Sequence, residues 1–383
     1  MKVLYVVRYP QDRSFSIQQK IDGQILGMRE MGCEVSFLSF DNAYMYLNEE
    51  GRTIKQWKLS SPNSRLYYHY RSYVDLYRNA KKAINEGSFD IIYFRSAPLN
   101  KTAIGFFNVA SQKSKIVVEI PTYSKHGREK PQSLLRKMYS YYSDILWKRC
   151  ARKVALFALI GEEEQELFGR PAINIDNAVT IQGIPIKQNE KAEDGKTHII
   201  AVASMSEWHG YDRLILGLSN WKKEKKNDYV IDMVGDEGDG SLAKWKRLVV
   251  EKGLEKSVIF HGKKTGDELT DLFNRSTIGV SSLGFYKVGF STGSVLKLRE
   301  YMARGLPFIY AHDDPDLKPD MEWCLKIPNN SSPVDMDLVD SFVERIKNTK
   351  DISIQMRSYA KENMTWTQQF RKVFSRLNEE IND

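Results

Sequence analysis

With 383 residues, 42% of them apolar and 28% charged, the chain has the composition of a soluble globular protein, which excludes a disordered or fibrous one. The length exceeds what a single hydrophobic core holds and predicts two domains. A net charge of +8 calls for an anionic partner, whether nucleic acid, an anionic lipid surface or a phosphorylated substrate, and charge alone does not choose among them.

The apolar run Val3–Val7 reads as a buried strand, too short and too soon followed by Arg8 to be a signal peptide. An amphipathic pattern from Ile17 to Glu30 stops at Gly32 and gives way to a strand over Glu34–Phe40, so one βαβ unit brings the intervening loop to the C-terminal edge of a parallel sheet. No GxGxxG is present there, which leaves Ser14 and Ser16 as candidate phosphate or sugar contacts only. A helix from Ser64 to Asn85 interleaves Tyr67, Tyr68, Tyr70, Tyr73 and Tyr77 with arginines, either as half-buried packing or as a stacking platform for bases or sugars. Strands Asp90–Phe94 and Lys115–Ile120 flank a helix near Lys101–Gln112, and the polar loop Pro121–Pro131 follows at the ligand-bearing edge. Glu119 and His126 at that edge are the candidates for contacting an acceptor hydroxyl. The helix Ser133–Lys153 ends in KRCARK, cations that suit a helix C-terminus and equally an anionic membrane surface. After the strand Val154–Gly161, itself too short to cross a bilayer, the acidic run EEEQE reads as the first turn of a helix.

The segment Lys187–Lys196 contains no large apolar side chain and is the expected linker between domains 1–186 and 197–364. Beyond it the alternation restarts: strand His198–Ala203, helix Gly210–Glu224, strand Tyr229–Gly235, helix Ser241–Gly253, strand Val258–Phe260, helix Thr265–Asn274 and strand Ile278–Ser281. Then comes GFSTGSVLKLREYMARGLP, Gly289–Pro307, where small residues lead into a helix whose free N–H groups and positive dipole end suit an anion such as a phosphate. On that helix Val295, Leu298 and Met302 share one side, while Lys297, Glu300 and Arg304 share another, to pair in solvent or to meet a ligand. Gly305 caps it before a strand over Pro307–Tyr310, and a last helix, Thr365–Ile381, is free to cross back to the first domain, giving it residues 365–383. The predicted fold is α/β, two Rossmann-like doubly wound domains facing across a cleft. Cys33, Cys150 and Cys324 lack metal-ligand spacing and read as free thiols in a reducing, cytoplasmic compartment.

In order and spacing, SMSEWHGYDRLILGL (Ser204–Leu218), MVGDEGDG (Met233–Gly240), VIFHGK (Val258–Lys263), GSVLKLREYMARGLPFI (Gly293–Ile309) and MTWTQQF (Met364–Phe370) resemble a GT-B glycosyltransferase. They are most similar to the retaining family often called family 4, whose members build capsule, exopolysaccharide and lipid-linked sugars; EIPTY, Glu119–Tyr123, is also like a segment of its bacterial polysaccharide members. The resemblance implies a C-terminal domain that holds a nucleotide diphosphate sugar, UDP- or GDP-linked, and an N-terminal domain that holds a lipid-linked or oligosaccharide acceptor at the inner face of a bacterial membrane. By it Glu300 would bind the ribose hydroxyls, Ser291, Thr292, Gly293, Ser294 and Lys297 would lie along the diphosphate, and Gly262 and Lys263 would border the base. His209 and Gly210 stand for the family's Lys-Gly, Ser204 for its usual Arg, Thr292 for its first acid, and Pro121 and Thr122 for its His-Asp. Lys297, Arg213 and the helix start would then neutralise the leaving diphosphate, with Glu119 and His126 orienting acceptor or sugar and no metal or other cofactor required. The lost first acid keeps open a non-catalytic sugar-nucleotide-binding subunit, and the shared architecture a sugar-nucleotide epimerase; nucleic-acid binding has no reading motif behind it.

Overall fold

The structure, a computed structural model, describes residues 1–10, 15–41, 43–60, 71–124, 134–188, 192–223, 228–318 and 320–382. The chain opens with β1 (Lys2–Pro10), α1 (Phe15–Glu30), β2 (Glu34–Phe40), β3 (Tyr44–Glu49), β4 (Arg52–Lys58), α2 (Ser72–Glu86), β5 (Ile91–Arg95) and α3 (Lys101–Lys113). It continues through β6 (Lys115–Tyr123), α4 (Leu134–Ala151), β7 (Leu156–Gly161), β8 (Glu166–Leu167) and β9 (Arg170–Asn174). The second half brings β10 (Thr197–Val202), α5 (Tyr211–Lys223), β11 (Tyr229–Val234), α6 (Ser241–Glu251), β12 (Val258–Gly262), α7 (Gly266–Arg275) and β13 (Ile278–Val280). It ends with α8 (Leu296–Arg304), β14 (Phe308–Tyr310), β15 (Cys324–Lys326), α9 (Met336–Lys347), α10 (Ile352–Asn363) and α11 (Trp366–Asn382). Two compact units result, Met1–Asp176 with Trp366–Asp383, and Asn177–Thr365. The segment with linker composition, where it is described, belongs to the second unit, with the Lys187 N–H donating to the Arg304 carbonyl.

In the first unit nine strands run in the order β4-β3-β2-β1-β5-β6-β7-β9-β8, parallel from β2 through β9, with antiparallel pairs at both margins. Alternation along the strands sends Val6, Phe94 and Val118 into one core with Tyr77, Phe106 and Phe107 of α2 and α3. Tyr77 is fully buried against Phe94 and Phe106, so it packs; Tyr67, Tyr68 and Tyr70 lie outside the described residues. The opposite face of the sheet is covered by α1 and α11. The acidic run does not start a helix: Glu166 and Leu167 form β8, and Phe168 and Gly169, both at positive φ, make the two-residue turn into β9. Two consecutive left-handed residues are what a tight hairpin demands and a helix forbids.

In the second unit six parallel strands run β12-β11-β10-β13-β14-β15. Helices α5, α6 and α9 build the core on one face, and α7, α8 and α10 on the other. The order of connection reverses between β10 and β13, and that reversal parts the loops leaving these two strands, the usual binding crevice of an open α/β sheet. Cys33, Cys150 and Cys324 are free and buried, and among the described residues no helix is long and apolar enough to cross a membrane.

Candidate functional site

Two glycines hold the loops at the reversal point together. Gly210 has φ of 64°, and a Cβ on it would sit 2.6 Å from the Gly284 nitrogen, so the loop after β10 and the loop after β13 touch backbone to backbone. The Leu283 N–H donates to the His209 carbonyl at 2.8 Å across the same seam. This fastening buries the His209 ring, which is 2% exposed and stacks on Tyr211 at an interplanar angle of 15°. His209 Nδ1 lies 3.1 Å from Ser282 Oγ and 3.0 Å from Lys297 Nζ, while its Nε2 is buried with no hydrogen-bond partner among the described residues.

Lys297 reaches this seam from the first turn of α8. Its ammonium donates to the Tyr211 hydroxyl at 2.9 Å and lies over the rings of Tyr211 and Trp208 at 5.3 and 5.8 Å. Among the described residues no carboxylate pairs with it. Burial holds the Lys297 ammonium well below the ordinary lysine range, and burial followed by the charge of Lys297 holds the His209 imidazole well below its own. No side chain caps α8, whose N-cap position is the extended Val295. A cation without a counter-ion among the described residues, beside an uncapped helix start, is an arrangement that suits an anion.

The small-residue segment ahead of α8 is not an open phosphate loop. Gly293 N–H donates to the Asp313 carbonyl at 2.9 Å and Asp313 N–H to the Ser291 carbonyl at 2.7 Å, a parallel bridge centred on Thr292. Ser294 is tied to Asn177: its hydroxyl accepts the Asn177 N–H at 2.8 Å and its carbonyl the Asn177 side-chain amide at 2.7 Å. The Gly293 N–H is therefore already bonded, which corrects its expected contact with the diphosphate, whereas at Ser294 these bonds engage acceptor oxygens only. Ser291 and Thr292 are exposed.

Arg213 is corrected likewise. It is 1% exposed, and Nε, Nη1 and Nη2 donate to the carbonyls of Ser332, Leu283 and Pro328 at 2.7, 2.6 and 2.9 Å, so it is buried as a fastener of these loops and closed to a phosphate. Glu300 is half-buried on α8 and accepts from Arg304 Nε at 2.9 Å, one turn on. Ser204 is exposed just past β10, and Gly262, at φ of 66°, ends β12 with Lys263 exposed beyond it. All these positions from Ser204 to Lys297 lie at the C-terminal edge of one sheet. Tyr211, Ser282 and Trp208 were missed in the sequence; their signal is only that they border strand or helix ends, and which ends meet depends on β10 lying beside β13.

Glu119 does not reach solvent. Its register partner on β5 is Arg95, so both side chains point to the face covered by α1, where Glu119 accepts from Arg95, Gln24 and Tyr93 at 2.7, 2.6 and 2.9 Å, with Lys20 Nζ at 3.6 Å. Burial opposes its charge, but Arg95 and Lys20 prevail and hold the carboxyl below the usual range. A fully buried, ion-paired carboxylate is a fastener within the first unit and not an acceptor-orienting base. His126 lies outside the described residues.

The two Rossmann-like units define a GT-B fold. Residues 184–315 match the family described as "Glycosyl transferases group 1", so the second unit carries a glycosyltransferase domain. Solved structures agree on the fold along the whole chain. A glycosyltransferase from Rickettsia africae superposes with a TM-score of 0.63 at 15% identity, covering 100% of this chain and 99% of that one. Anabaena HepE, in complex with UDP and glucose, gives 0.59 at 15% identity over 98% and 99% of the two chains. The catalytic domain of starch synthase IV from Arabidopsis thaliana, bound to ADP and acarbose, gives 0.65 at 8% identity over 100% and 99%. No curated protein matches the chain.

Proposed function

We propose that the protein transfers a hexose-type sugar from a nucleotide diphosphate sugar, UDP- or GDP-linked, to a lipid-linked or oligosaccharide acceptor in bacterial cell-surface polysaccharide synthesis, with retention at the anomeric carbon. The observation that carries this reading is the half-buried Lys297 ammonium, without a carboxylate partner among the described residues, beside the uncapped start of α8 in a glycosyl transferases group 1 domain. The UDP and ADP bound by HepE and starch synthase IV support a nucleoside diphosphate as the matching anion.

In this reading the bond from the anomeric carbon to the diphosphate breaks as the acceptor oxygen bonds to the same face of that carbon, and the acceptor proton passes to the leaving phosphate oxygen. No protein nucleophile is needed. Lys297 and the N–H groups opening α8 neutralise the charge that grows on the leaving group. Glu300, half-buried on the same helix, is the candidate for the ribose hydroxyls, with Gly262 and Lys263 at the base. The exposed Tyr141, Tyr142 and Ile145 of α4, followed by Lys148 and Arg149, support docking of the first unit on an anionic membrane surface.

A second reading, a non-catalytic sugar-nucleotide-binding subunit, is favoured by Thr292 in the place of the family's first acid and by the burial of Glu119. Incubating UDP- and GDP-sugars with and without an extract of lipid-linked and oligosaccharide acceptors separates the two. Transfer predicts nucleoside diphosphate released only when acceptor is present, whereas binding without release sinks it in favour of the subunit.

A further inference from the structure

The start of α8 is held from outside the helix, and what that hold does rests on the reading of this start as the donor diphosphate site. The helix's own ladder begins at Val295, whose carbonyl accepts the N–H groups of Leu298 and Arg299 at 3.1 and 3.3 Å. The Ser294 carbonyl lies one residue ahead of that ladder. Asn177, 117 positions earlier and the first residue of the second unit, supplies its donor. The Asn177 side-chain amide donates to the Ser294 carbonyl at 2.7 Å and its N–H to the Ser294 hydroxyl at 2.8 Å, while its own carbonyl accepts Arg299 Nε at 2.9 Å. Arg299 is fully buried and bonded to Asp314 and Asp316 of the loop after β14, so Asn177 is braced by a fixed side chain.

These bonds set the direction of two donors. The Ser294–Val295 peptide is trans and planar, with its C=O and N–H on opposite sides, so pinning the Ser294 oxygen turns the Val295 N–H away from Asn177. At Ser294 the hydroxyl oxygen accepts from Asn177, which leaves the hydroxyl proton to be donated. Among the described residues neither the Val295 N–H nor the Ser294 O–H has an acceptor. The anion site does not stand on the helix start alone: Lys297 Nζ follows two residues on, 3.0 Å from a His209 ring whose Nε2 is buried without a partner among the described residues.

We propose that Asn177 is a positioning residue for the donor: it fixes the Ser294–Val295 peptide so that the Ser294 hydroxyl and the Val295 N–H donate to the diphosphate, without touching the ligand itself. Donors already aimed at an anion cost no reordering when it binds, which is where the gain in affinity lies. Without the side-chain amide the Ser294 carbonyl loses its donor and the peptide is free to turn. The loss then appears in donor affinity as well as in stability, whereas an amide that served the fold alone would affect stability only.

The test is calorimetric titration of the full chain and its variants with UDP, GDP and ADP, each protein's thermal midpoint being recorded alongside. N177A is expected to bind the nucleoside diphosphate that the wild-type protein takes about 10-fold more weakly. S294A keeps the amide bond to the carbonyl at 294 and loses only the hydroxyl, and is expected to bind about 3- to 10-fold more weakly. E119Q, which loosens the first unit, is expected to lower the midpoint with affinity unchanged. A folded N177A with wild-type affinity, or an equal loss of affinity in E119Q, overturns the positioning role while leaving the donor site standing. Should N177A not fold, S294A decides: weaker binding supports the role and unchanged affinity overturns it. Failure of all three nucleoside diphosphates to bind the folded wild-type protein removes the donor site and the positioning role together.

Discussion

Glu119 shows how a side chain's neighbours reassign its role. In the sequence it closes an apolar strand beside a polar loop, the usual address of a ligand-binding acid; in the fold it is the carboxylate that Lys20 and Arg95 share. Glu119→Gln is expected to leave the buried Lys20 and the half-buried Arg95 without their anion and to cost about 3–5 kcal/mol, read as a lowered denaturant midpoint. Loss of turnover with an unchanged midpoint would contradict that assignment. Because the folded carboxyl lies below its usual range, its contribution is complete above the unfolded acid's pKa and is lost as pH falls through the folded one. Lys20 adds a slope of its own: burial brings its pKa down to about 8, so between there and the ordinary lysine value the unfolded chain binds the extra proton and stability rises with pH. The sequence shows that a glutamate sits in the strand. It does not show that alternation points it at α1, nor that Arg213, a plausible phosphate ligand by position, ends on three carbonyls.

Helix α8 was largely legible as an element. Val295, Leu298 and Met302 are buried along one side, and Gly305, at φ of 70°, ends the helix where a Cβ would meet the Ser353 carbonyl at 2.4 Å. Local pattern and capping chemistry suffice for such an element. The bridge from Thr292 to Asp313 and the hold of Asn177 on Ser294 were not legible, because each joins residues that become neighbours only when the sheet is assembled. The same limit hid the hairpin of β8 and β9 behind a run of acids. Gly210 tests the seam between elements: Gly210→Ala must accept φ of 64° and a Cβ 2.6 Å from the Gly284 nitrogen, an expected loss of roughly 1–3 kcal/mol. Since the displaced loop carries His209, donor affinity measured by titration should fall with it. A stable variant with unaltered affinity would show that the contact does not position the site.

At the scale of the whole chain, the restart of strand-helix alternation after residue 196 was the most readable feature, since it needs only periodicity and turn residues. The marginal antiparallel pairs of the first sheet, and α9 and α10 of the second unit, were not read. The chain leaves the first unit at Asp176 and returns to it with α11, so that unit is completed only by the last helix. The groups proposed to meet a donor gather at one edge of the second sheet, while of the two acceptor-side candidates Glu119 is enclosed and His126 lies outside the described residues. The central claim is that the loops at the reversal of this sheet, with Lys297 and the opening of α8, grip a diphosphate. A crystal structure of the protein with UDP bound tests it most directly: a phosphate oxygen within about 3 Å of Lys297 Nζ, with others on the first N–H groups of α8, is the predicted result. Phosphates resting elsewhere, with the Lys297 amine still bonded only to His209 and Tyr211, would contradict it.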